Sequence, residues 1–137
     1  MKTLDEIQGL TRAAFAGEQG LFRPCAFFDK RLDCIRVIAR DCSVLEERIN
    51  DRLTVLLDNY PGPGRPKYVG FTIKGAKHFC KEYGWDLKES IKMTAFLDAV
   101  VAKYPDMLVD LFINHVARQL VQEKQINEVE MSLPVAS

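Results

Sequence analysis

A change of repeat at Gly75 constrains this chain more than any other feature. Up to Ile73 apolar residues recur at every second position, and beyond Gly75 they recur every three to four. A period of two belongs to a strand with one buried face, and a period near 3.6 belongs to a helix. The expected fold is therefore α+β, with a sheet built first and helices laid on one face of it.

The clearest strands lie within residues 51–76. Val69, Phe71 and Ile73 alternate with Gly70, Thr72 and Lys74, and Leu53, Val55 and Leu57 form a matching set. Leu56 breaks that alternation, so the outward face is expected to be partly covered as well. Between the two runs, NYPGPGRP carries three prolines, which lack backbone donors, and two glycines, which tolerate positive φ. Neither helix nor ladder continues there, and the segment reads as an exposed tip rather than a binding loop.

Upstream, Thr3 and Glu6 have capping-box spacing, and Leu4, Ile7, Leu10 and Ala14 fall three or four apart. They predict an N-terminal helix over 4–16, stopped by Gly17 and Gly20. Ile35, Val37 and Ala39 alternate with Arg36, Ile38 and Arg40 in another strand, with residues 29–31 as the turn after a shorter one. Residues 43–50 admit two readings. Ser43 and Glu46 make a second capping box, and Leu45, Ile49, Leu53 and Leu56 sit at helical spacing, so one helix over 44–57 is open. The β-branched pair Thr54 and Val55, and the partner that a strand at 68–74 needs, favour a strand. The sheet is then an antiparallel meander of three or four strands.

Three helices are expected after it. The first runs from Gly75 to Tyr83 and is closed by Gly84. The second opens at the Asp86/Glu89 capping box and carries a stripe of Met93, Phe96, Leu97, Val100, Val101 and Tyr104 up to Pro105. Asp106 caps the third, over 107–124. Leu108, Leu111, Phe112 and His115 form one stripe on it and Val109, Ile113, Val116 and Leu120 another. Between Met107 and Val121 only Asp110 and Arg118 are formally charged. A helix apolar nearly all round is buried on more than one side. The second side is assigned to another copy of the chain, with Leu108, Phe112, Ile113 and Val116 as interface anchors of a homodimer. A central helix within one subunit remains the alternative. Residues 1–124 are read as one domain and 125–137 as a flexible tail.

Lys+Arg and Asp+Glu both number 19, so the chain has no overall bias toward polyanions or anionic membranes. No apolar run approaches a membrane span. The opening MKTLDEIQGL has acidic residues and no apolar core, unlike a signal peptide, which points to the cytoplasm. Cys25, Cys34, Cys42 and Cys80 show no paired spacing with each other or with His78 and His115, so reduced thiols are expected and zinc is not.

Chemistry is sparse. Cys42 and His78 would serve as nucleophile and base only if the fold joined them. His115 lies on an apolar stripe, where an interface histidine would make association pH-dependent. Asp29, Asp33, Asp41, Glu46, Glu47 and Asp58 sit at strand ends, where turn formation explains them as well as metal or acid–base work. Residues 65–92 carry Arg65, Lys67, Lys74, Lys77, Lys81, Lys88 and Lys92 against Glu82, Asp86 and Glu89, a local excess of positive charge. Helix, Gly84 and capped helix follow the layout of a helix-turn-helix, which would present Lys88 and Lys92 to a major groove. An α-hairpin packed on a sheet explains the same residues. No catalytic, cofactor or metal site is assigned. The leading expectation is a non-catalytic homodimeric binding or regulatory module. Nucleic-acid binding through Lys74, Lys77, Lys81, Lys88 and Lys92 is the alternative, and an enzyme ranks third.

The order Asp33-x-Ile35-x-Val37, Ser43 to Glu46, Leu53-Thr54-Val55 to Asp58 and Val69-Gly70-Phe71-Thr72-Ile73 resembles an uncharacterised bacterial β-meander family of unknown function. Phe28-Asp29 stands where that family opens on tyrosine and aspartate. The resemblance spans residues 28–74, about a third of the chain, and departs where the family has a tight turn and this chain has its Pro/Gly loop. It implies a small antiparallel meander and transfers no catalytic residue or ligand.

Overall fold

The structure, a computed structural model, describes residues 22–64, 67–86 and 89–131. The helix expected over 4–16 lies outside those residues. Five strands make one antiparallel sheet: β1 (Cys25–Asp29), β2 (Cys34–Ile38), β3 (Val44–Arg48), β4 (Leu53–Asp58) and β5 (Tyr68–Lys74). The expected three or four strands are thus five, because residues 44–48 are a strand and not the start of a helix.

Their spatial order is β1-β2-β5-β4-β3. β3, β4 and β5 form the meander, while residues 39–43 carry the chain across the ends of β5 and β4 so that β5 returns beside β2. That is a Greek-key arrangement. The backbone N–H of Ala39 donates to the Val69 carbonyl at 2.8 Å, and that of Asn59 donates to Ser43 at 2.9 Å, fastening the crossover.

Cross-strand register separates the two faces. Ala26↔Val37, Ile35↔Ile73, Val37↔Phe71, Leu53↔Ile73 and Val55↔Phe71 all fall on one face. These side chains share a single buried cluster with the helices. The helices are α1 (Ala76–Tyr83), α2 (Met93–Lys103) and a last rod made of α3 (Met107–Phe112), a π-helical turn (Ile113–Ala117) and α4 (Arg118–Glu123). Phe79, Phe96, Phe112 and Ile113 bring them onto the sheet. Each such side chain contributes about 1.5–3 kcal/mol relative to being left in water. The expectation of three helices on one face of the sheet holds.

Two local departures follow from pairing rather than propensity. The second helix starts at Met93, not at Asp86. The backbone carbonyl of Asp86 accepts the N–H of Glu89 at 3.3 Å, and Ile91–Lys92 is taken as strand β6 by β7 (Glu128–Val129). The segment after Lys124 is not a loose tail as far as Met131. Ile126, Val129 and Met131 are buried in the main core. Glu130 exchanges hydrogen bonds with β1, its N–H donating to Ala26 at 2.9 Å and its carbonyl accepting from Phe28 at 2.8 Å. Residues 132–137 lie outside the described structure.

Gly70 is required where it sits. A Cβ there would stand 2.1 Å from the carbonyl oxygen of Val37, so no larger residue fits without parting β2 from β5. No helix among the described residues is long and apolar enough to cross a membrane.

Candidate functional site: the outer face of the last helix

The residues proposed for chemistry do not converge. Cys42 follows the end of β2 and His78 follows the end of β5, and since those strands are antiparallel the two lie at opposite ends of the sheet. His78 instead pairs with Glu82 at 2.8 Å on the outside of α1, and Lys103 reaches the same carboxylate. The Lys103 hydrogen bond holds the Glu82 carboxyl below its ordinary range. Three of the six acidic residues serve a turn, an ion pair and a cap. Asp29 accepts the N–H of Arg31 at 3.0 Å, Asp58 pairs with Arg40 at 3.3 Å, and Asp33 caps α1 through the N–H of Lys77 at 2.8 Å. Among the described residues no group of three His, Cys, Asp or Glu side chains is placed to hold a metal ion.

The four cysteines are free of disulfides. Burial pushes the thiols of Cys25 and Cys34 up to about 12 and that of Cys80 up to about 11, so none of the three is a nucleophile near neutrality.

Lys74 ends β5, Lys77 and Lys81 lie on α1, and all three are exposed. Lys92 belongs to β6 and precedes the second helix, while Lys88 lies outside the described residues. Among the described residues no helix begins between Gly84 and Met93, so Lys92 does not ride a second helix as the helix-turn-helix layout requires.

The last rod remains. Asp106 starts it, its carboxylate accepting the N–H groups of Leu108 at 2.8 Å and Val109 at 3.3 Å, as the sequence predicts. Asn50 donates to the same carboxylate at 3.3 Å and ties the β3–β4 turn to this helix start. These bonds, led by that from Leu108, hold the Asp106 carboxyl below its ordinary range.

The four expected anchors divide. Phe112 and Ile113 are buried within the subunit; the Phe112 ring stands edge-on to Phe71 at 5.5 Å and to Tyr68 at 5.9 Å. Val116 is half-buried against the core. Only Leu108 is exposed, at 55%, and its exposed neighbours are Met107 at 77% and Leu111 at 49%. These three occupy adjoining positions on one side of α3. Leu45, on the helix-bearing face of β3, is also exposed.

Further along, a shallow groove of about 240 Å³ runs beside the π-helical turn. Lys67 and Tyr68 line one side, and His115, Val116, Gln119 and Glu123 the other. Such turns insert a residue into the helix and recur at functional sites.

The chain matches no family model, no curated protein and no solved structure.

Proposed function

We propose that the protein is a small non-catalytic homodimeric module, binding or regulatory, that pairs through the outer face of α3. The observation that carries this reading is the exposed trio Met107, Leu108 and Leu111. Large apolar side chains left adjoining on one helix face mark an interaction surface. A second copy suits the surface because α3 starts over the β3–β4 turn, beside the sheet's open edge. The other edge is occupied, since Glu130 bridges to β1, whereas β3 has no further strand beyond it among the described residues. The charges Glu46, Glu47 and Arg48 discourage indiscriminate edge pairing. They leave the apolar helix face as the source of affinity. A two-fold contact then sets each patch against its own equivalent.

Sedimentation of the wild type and of Leu108→Glu/Leu111→Glu tests the reading. The expected outcome is a dimer for the wild type and a folded monomer for the double variant, whose denaturation midpoint no longer depends on protein concentration. A wild-type chain that stays monomeric at tens of micromolar, or a double variant that stays dimeric, would refute it.

A further inference from the structure

Among the described residues β3 ends the strand order with nothing paired beyond it, whereas Glu130 bridges to β1 at the opposite end. The strand is pinned at both of its ends. The Ser43 carbonyl accepts the N–H of Asn59 at 2.9 Å, and the N–H of Ile49 donates to the Leu53 carbonyl at 2.9 Å. The Asn50 side chain accepts the N–H groups of Arg52 and Leu53, each at 2.8 Å, and fixes the turn into β4. Residues of an antiparallel strand alternate between bonding to their partner and facing away from it. Since Ser43 and Ile49 face β4, so do Leu45 and Glu47, while Val44, Glu46 and Arg48 turn their backbone groups outward. A row of such groups on a strand held extended is a template for one more strand.

The side chains decide which strand. All but Val44 are exposed. Leu45 and Glu47 lie opposite Leu57 and Val55 on the helix side, and Glu46 lies opposite Leu56 on the other side. Arg48 is taken by its ion pair with Asp51. Glu46 and Glu47 are left as adjacent negative charges, one on each face. A second copy does not suit this edge. Antiparallel self-pairing centred on residue 46, on 47 or between them sets one glutamate opposite another, which is unfavourable. The chain's only adjacent pair of Lys or Arg, Lys30 and Arg31, is held in the β1–β2 turn, where Asp29 accepts the N–H of Arg31 at 3.0 Å. It is not extended and cannot serve as the added strand.

We infer that the edge of β3 receives an extended segment of another protein, antiparallel to it, with the sequence step basic, basic, apolar. The first basic side chain meets Glu47 on the helix side and the second meets Glu46 on the other. The apolar side chain covers Leu45, which is 52% exposed. The backbone of the second basic residue exchanges both hydrogen bonds with Glu46. Pairing through α3 uses a helix face and none of these backbone groups, so the inference does not rest on it.

The probe is a labelled peptide that alternates Thr and Val around a central Lys-Arg-Val, read by fluorescence anisotropy with the full-length protein. The wild type should bind it saturably below about 1 mM. N-methylation of the central Arg removes the N–H that faces Glu46 and should abolish binding. N-methylation of the neighbouring Lys removes an N–H that faces solvent and should leave binding intact. Glu46→Lys/Glu47→Lys should lose at least about tenfold for this peptide and gain affinity for one carrying Glu-Glu-Val at its centre.

No binding by the wild type, equal effects of the two methylations, or equal binding of both peptides by the wild type would each overturn the inference. The methylation contrast needs the wild type alone, so it decides even where charge reversal disturbs the fold. Leu108→Glu/Leu111→Glu should bind the peptide as the wild type does. Loss of binding there would put the site on α3 and overturn the assignment to β3.

Discussion

Asp33 holds the start of α1 from the adjoining β1–β2 turn: its carboxylate accepts the backbone N–H of Lys77 at 2.8 Å, across 44 residues of sequence. Its carbonyl accepts the N–H groups of Gly75 at 2.9 Å and Ala76 at 3.2 Å. Asp33 itself sits at φ 49, a left-handed conformation that Asp and Asn adopt more readily than most residues. One residue thus turns the β1–β2 hairpin and caps the helix that follows β5. Asp33→Ala is expected to cost about 1 kcal/mol from the lost cap, with a further penalty from the left-handed backbone. Asp33→Asn should recover most of the loss. Urea denaturation of the three proteins checks the order, and an Ala variant as stable as the wild type would show that the cap is idle.

Phe112 separates folding from association. Its ring contacts lie within the subunit, against Phe71 and Tyr68, so truncation leaves a cavity over the centre of the sheet. Phe112→Ala should lose about 3 kcal/mol or more of stability. Leu111→Ala, one residue earlier and on the exposed side, should lose well under half as much. Comparable denaturation midpoints for the two variants would show that α3 is seated on its other side.

The rule behind this contrast explains what could be read in advance. Strand faces were legible because alternation is binary. Val69, Phe71 and Ile73 all point at the helices, and the intrusion of Leu56 announced the covered back face. The order of strands was not, because β5 between β2 and β4 is a long-range choice that no local period encodes. The last helix failed differently. Phe112 and Leu111 are equally apolar, and the π-helical turn at Ile113–Ala117 shifts the phase of everything after it, so a regular 3.6 repeat cannot rank its faces. Met107, the most exposed of the trio, carried no signal beyond its place at the helix start.

The β6–β7 pairing is the other illegible step. Two-residue strands have no period. Their pairing, Ile91 with Val129 and Lys92 with Glu128, is a long-range contact between segments that flank α2 and the last rod in sequence. The capping box at Asp86 predicts a helix start that does not occur there, because Ile91–Lys92 pairs as a strand before the helix begins at Met93. For the candidate surface, Leu108 alone among the four expected anchors is solvent-facing.

Asp106 gives the fold a specific acid sensitivity. Three hydrogen bonds stabilise its ionised form, from Leu108 N–H, from the Asn50 side chain and from Val109 N–H, and they hold its folded value below that of the unfolded chain. A depressed carboxyl contributes stability that is complete above its unfolded value, about pH 4. That contribution is lost as pH falls through the lower folded value. The unfolded chain then binds the proton more readily, so acid favours unfolding. Asp106→Ala should be clearly less stable than the wild type near neutrality, and the gap should narrow steadily as pH drops below about 4. Asp106→Asn keeps a cap acceptor and should lie between the two near neutrality. Urea midpoints collected over that range decide the matter: a gap between wild type and Asp106→Ala that stays constant with pH would mean that the carboxylate's charge plays no part in holding the helix start against the β3–β4 turn.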